Sequence, residues 1–120
     1  MKNGKIWGET KPILKAPIIE IHHIIIKPHS KCSLHIHQYK WNYFFVLKGK
    51  LIIDVHKNNY DLVDRTILYT NESTTIPPNE KHMFITEELE TEALEVYYPE
   101  MLSEDIIRSS VGSTLSNNNG

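Results

Sequence analysis

Ser33-Leu34-His35-Ile36-His37-Gln38-Tyr39-Lys40-Trp41-Asn42-Tyr43-Phe44-Phe45-Val46-Leu47-Lys48-Gly49 is the stretch around which the chain is organised. His35 and His37 stand two residues apart. In an extended strand that spacing puts both imidazoles on one face, because strand side chains alternate with period two. Asn42 opens a second apolar run, Tyr43 to Leu47, which stops at Gly49. Farther on, His82 follows a Pro77-Pro78-Asn79 turn. If the strands close into a small barrel, His35, His37 and His82 converge inside it and hold a metal, with Asn42 beside them.

Working outward from that stretch, the chain reads as short strands between turns. Ile18 to Ile26 is rich in β-branched residues and stops at Lys27-Pro28. Cys32 to His37 and Tyr43 to Leu47 are the next two strands, and Lys48-Gly49-Lys50 turns the chain into Leu51 to His56. Lys57 to Tyr60 is a turn before a strand over Asp61 to Leu68. Tyr69 to Glu72 is another, before Ser73 to Pro77. His82 to Thr86 and Ala93 to Tyr98 complete the set. Residues 1–17 read as an arm with a short strand, packed through Ile6 and Trp7. Turn signals at about ten-residue spacing are the pattern of an all-β sandwich or barrel. Only Ser103-Glu104-Asp105-Ile106-Ile107-Arg108, with a Ser N-cap and acids in its first turn, predicts a short helix. The tail 113–120 is polar and is expected to be disordered.

Composition narrows the function classes. The chain has 120 residues, enough for one domain with a real core, read here as 1–112. A net charge of −2 points to neither nucleic acid nor an anionic membrane surface. Cys32 is the single cysteine, so no internal disulfide forms, which suits a reducing, cytoplasmic setting. No apolar run approaches the ~18 residues that span a bilayer. The first residues carry charge with no apolar stretch behind them, unlike a signal peptide.

Laid out this way, the chain resembles the cupins. Their first motif is HxH, three or four residues, Glu, six residues, Gly; here it is His35-Ile36-His37, four residues, Asn42, six residues, Gly49. Their second is PxG, two residues, His; here it is Pro77-Pro78-Asn79, Glu80-Lys81, His82. Asn stands at the motif's Gly position, and Asn is the residue that best replaces Gly where φ is positive. The resemblance implies a double-stranded β-helix, the jelly-roll barrel. A closer resemblance is to the cupin domain of type II mannose-6-phosphate isomerases, often fused to mannose-1-phosphate guanylyltransferase. It rests on Ile6-Trp7-Gly8, Lys27-Pro28, Ser33-Leu34, Glu95-Val96 and the acidic segment 103–108. Departures are as informative: the family's usual Gln is His35, its Glu is Asn42, its Arg is Lys40, and its closing Tyr-Gly-Arg is absent.

Three neutral imidazoles suit one borderline divalent ion, Zn, Ni, Fe, Mn or Cu, and leave open positions on it. With Asn42 in place of a carboxylate the site keeps more positive charge, which favours bound water or an anionic ligand. The expected ligands of the metal are His35, His37, His82 and Asn42. His22 and His23 are adjacent and point to opposite faces, so one of them faces the interior. We read His23, with Lys40 and Phe44, as candidates to contact the ligand. Cys32 reads as structural and His29 and His56 as surface residues. Three functions are compatible with this chemistry: a metal-dependent isomerase of a sugar or sugar phosphate, a three-His Fe or Ni oxygenase, and a non-catalytic cupin that binds a sugar or anion. The isomerase needs a base, and the sequence singles none out; Glu95 and Asp54 lie on strands with no indication of which way they face. The resemblance also implies a homodimer joined through the N-terminal strands.

Overall fold

The computed structural model describes residues 3–57, 62–99 and 109–115. Among the described residues nine strands follow one another: β1 Asn3–Lys5, β2 Gly8–Ala16, β3 Ile19–Ile26, β4 Trp41–Lys48, β5 Lys50–His56, β6 Val63–Tyr69, β7 Ser73–Ile76, β8 Lys81–Ile85 and β9 Thr91–Tyr98. All pairings are antiparallel, and no helix occurs among the described residues. The helix expected over 103–108 and the turn at 58–60 lie outside the described residues, as do 116–120 of the tail.

The strands form two sheets, one in the order β1-β2-β3-β9-β4-β7 and one in the order β6-β5-β8. Their facing sides make a jelly-roll core of Ile24, Ile26, Phe44, Val46, Leu51, Ile53, Leu68, Ile76 and Phe84. Alternation explains which residues enter it. On β4, Asn42, Phe44 and Val46 point inward and are essentially fully buried. On β3, His22 shares the inward side with Ile24 and Ile26, both fully buried.

Two details differ from the expectations. The arm is more than a short strand: β2 runs nine residues along β3, and β1 pairs back on β2. Within its turn Trp7 packs edge-on against Phe84, ring centroids 4.9 Å apart, whereas Ile6 stands in solvent. Cys32 to His37 is not a regular strand either. It runs beside β8 through isolated bridges, Lys31 with Ile85 and His35 with His82. Turn residues with β8 anchor it: the amide of Asn79 donates to the His37 carbonyl at 2.7 Å, and the amide of Thr86 to the Ser30 carbonyl at 2.8 Å.

Tight turns close the hairpins. Gly49 joins β4 to β5 at φ 96°, where an added Cβ would lie 2.7 Å from the Glu90 carbonyl oxygen. Asn79 turns β7 into β8 at φ 68°, the left-handed value expected of Asn in the place of Gly.

Candidate metal centre

His82 sits on β8 in the small sheet, and the bridge with His35 lays the 31–37 segment alongside it. The three imidazoles therefore meet at one end of the barrel. Ring centroids are 4.4 Å apart for His35 and His82, 5.0 Å for His35 and His37, and 5.5 Å for His37 and His82. One nitrogen from each ring lies within 4.8 Å of the others, a spacing at which one ion can touch all three.

Backbone carbonyls fix the tautomers. His35 Nδ1 lies 2.7 Å from the Ser33 carbonyl oxygen, and His82 Nδ1 lies 3.0 Å from that of Glu80. A carbonyl only accepts, so each Nδ1 carries the proton and each Nε2 is left with a lone pair. Such outer hydrogen bonds are what orient histidines on a metal. His37 Nε2 is buried with no hydrogen-bond partner, a costly state for a ring nitrogen unless something else occupies it. Burial, reinforced by the neighbouring imidazoles, pushes His82 down to about 4 and lowers His37 as well. At neutral pH these rings hold lone pairs rather than protons. The donor set fits a borderline divalent ion.

Asn42 reaches the cluster from β4 in the opposite sheet. Its amide nitrogen lies 3.2 Å from His82 Nε2 and 3.5 Å from Glu95 Oε2, and its Oδ1 is buried without a partner. Glu95 is the residue that sequence reasoning did not orient. It projects from β9 into the interior, 8 % exposed, hydrogen-bonded to Tyr97 as well as to Asn42. Burial raises its carboxyl above the usual range, opposed by those two bonds. Burial also raises the Tyr97 hydroxyl, whose ring lies 5.0 Å from that of His37.

A cavity of about 650 Å³ opens beside His35. Trp7, Ile6, Cys32 and Phe84 supply an apolar wall, and Thr10, His22, Glu95 and Tyr97 a polar one. Mixed linings of this kind are usual for small-molecule sites. His22, not His23, borders the cavity; His23 lies on the outer face of β3, its Nε2 3.0 Å from Glu92 Oε1. Phe44 is buried in the core with its ring 6.1 Å from Phe84 and lines neither described cavity. Lys40 is exposed and borders a smaller hollow of about 270 Å³, its Nζ 5.6 Å from the Tyr97 ring centroid. Cys32 is buried and its thiol is pushed up to about 11 by that burial, which makes it inert. Asp54, the other acid left unoriented above, faces away from the cluster and is clamped by Arg65 at 2.8 and 2.9 Å.

Comparison with known proteins agrees with this architecture. Residues 22–97 match the family model described as Cupin domain. KdgF from Halomonas sp. superposes with a TM-score of 0.70 at 11% identity, over 82% of this chain and 86% of that one. The capsular polysaccharide assembling protein CapF from Staphylococcus aureus gives a TM-score of 0.74 at 22% identity, over 86% of this chain but 31% of its own length. An oxalate decarboxylase variant from Bacillus subtilis gives 0.74 at 12% identity, over 82% of this chain and 27% of its own length. Likenesses at these identities establish the fold. No curated protein sequence matches the chain.

Proposed function

Since this chain belongs to the cupin domain family, we propose that it is a small metal-dependent cupin that binds a sugar or sugar phosphate and acts on it. The observation that carries the proposal is the convergence of His35, His37 and His82 beside a cavity with one aromatic and one polar wall. Those three imidazoles would hold the ion through one nitrogen each, the three lying within 4.8 Å of one another. Asn42 is assigned a place beside the ion rather than on it, because the atom it turns toward His82 is an amide donor. When bound, the ion supplies a Lewis acid that polarises a carbonyl or hydroxyl oxygen of the ligand.

Everything else is the work of this chain's own side chains. Trp7 offers an apolar face on which the C–H side of a sugar ring rests. Thr10, His22, Glu95 and Tyr97 offer donors and acceptors to its hydroxyls from across the cavity. Glu95 is buried and Tyr97 half-buried, which limits water's competition for those contacts. A flat apolar ligand would leave this wall unsatisfied, at a cost of about 1–3 kcal/mol for each stranded polar group.

Metal analysis of the purified protein, followed by thermal melts with a panel of aldoses, ketoses and their phosphates, tests the proposal. A stoichiometric divalent ion and a ligand-dependent rise in Tm that His82→Ala lacks are expected. A protein that neither holds nor takes up a divalent ion refutes it.

A further inference from the structure

We infer that Glu95 is the group that moves a proton in this site, acting on the hydrogen α to the carbonyl of an aldose or ketose, and that Asn42 positions it. The inference rests on the metal-dependent reading above and adds to it the base which the sequence did not reveal.

Placement is the main argument. Among the described residues the two buried acids are Glu95 and Asp54. Asp54 has a full partner in the forked Arg65 guanidinium, a structural arrangement. Glu95 has no such cation. Its described hydrogen-bond partners are the neutral Asn42 amide and the Tyr97 hydroxyl, and it borders the cavity that His35 also borders. A carboxyl taken out of water without a paired cation is costly to the fold, so a purely structural role gains nothing that Gln would not supply.

Asn42 gives the carboxyl its place. Its amide nitrogen stands between His82 Nε2 and Glu95 Oε2. With an ion on His82 that ring nitrogen no longer accepts, and the amide is left to donate to Glu95 alone. The metal-holding histidine and the carboxyl are thus linked through one side chain that crosses between the sheets.

The reaction balances without a redox partner. Glu95 takes the hydrogen on C2 of an aldose as a proton. The C–H electron pair becomes the C1=C2 bond of an enediol, and the carbonyl pair takes a proton at O1 from water, to which O2 gives one back in the next step. Glu95 then returns its proton to C1 while O2 loses its own, which yields the ketose.

The test uses the metal-loaded full chain in D2O with the same panel of aldoses, ketoses and their phosphates, followed by proton NMR. Wild type is expected to wash deuterium into C1 or C2 of at least one of them. Glu95→Gln is expected to lower that exchange by about 10²–10⁴-fold while keeping its metal and its Tm. Glu95→Asp recovers part of the rate, and Asn42→Ala lowers kcat with KM and metal content unchanged. Full exchange in Glu95→Gln, or loss of its metal, overturns the inference. Metal-loaded wild type that exchanges nothing also overturns it, yet leaves the metal centre standing. Wild type that takes up no ion brings down both.

Discussion

At the scale of single residues, the histidine nitrogens and the amide beside them make different claims on an ion. His35 and His82 each have Nδ1 tied to a carbonyl two residues upstream, which leaves each Nε2 with a lone pair. Removing either ring deletes a donor outright. His35→Ala and His82→Ala are therefore each expected to lose stoichiometric metal in elemental analysis, whereas Asn42→Ala keeps it. Retention in both histidine variants means the ion sits elsewhere. A separate prediction concerns Asp54. The Arg65 guanidinium holds its carboxyl below the usual range. A depressed folded pKa means that the pair's contribution is complete above the unfolded Asp value of about 3.9 and is lost as pH falls through the folded one. Urea midpoints of wild type should fall on acidification below about pH 4 more steeply than those of Asp54→Asn; parallel curves would count against the pairing.

The same scale shows where sequence reading stops. Spacing put His35 and His37 on one face, and the resemblance to the two cupin motifs, with the barrel it implies, brought His82 to them. For the neighbouring pair it named His23 where His22 borders the cavity, since β3 carries isoleucine on both faces and alternation then has no polarity contrast to read. Glu95 was hidden for the opposite reason. On β9 it lies between Leu94 and Val96, so a hydrophobic-in reading sends it to solvent. The structure inverts this: Thr91, Ala93 and Glu95 are buried and the two apolar residues are half-buried. Ordinary alternation fails there because the interior at that end is a cavity with a polar wall.

Among the elements, turns decide how well the ligands are held. Most of the strands from β3 onward were legible from β-branched runs and turn residues, and the φ of Asn79 was legible from the motif position it fills. The 31–37 segment was not, because a regular strand needs a continuous ladder and this segment meets β8 only at isolated bridges. Its position thus depends on anchors such as the Asn79 amide on the His37 carbonyl. Asn79→Gly should be tolerated, while Asn79→Val should cost about 1–2 kcal/mol from the left-handed backbone alone and weaken metal affinity with it. Equal stability of the two variants would remove the turn from the argument. Gly49→Ala adds a Cβ within 2.7 Å of a carbonyl oxygen at positive φ, and chemical denaturation should show a loss of more than about 1 kcal/mol.

For the whole molecule, the site lies where two sheets and one loosely paired segment meet. The large sheet contributes Asn42 and Glu95, the small sheet His82, and the 31–37 segment the other two histidines. An ion on all three imidazoles fastens that segment to β8 in the folded state alone, so it stabilises by mass action. At a hundredfold excess over Kd the gain is about 2.7 kcal/mol. For a domain of this length each kcal/mol moves Tm by about 3–6 °C, so loading the apo-protein should raise Tm by roughly 10 °C. Because the fastening is local, hydrogen exchange should slow most at the amides of His35, Asn79 and His82, which bond across the segment. Chelation should reverse both effects, and His82→Ala should show neither. A uniform gain of protection across both sheets, with no excess at those amides, would place the ion outside this junction.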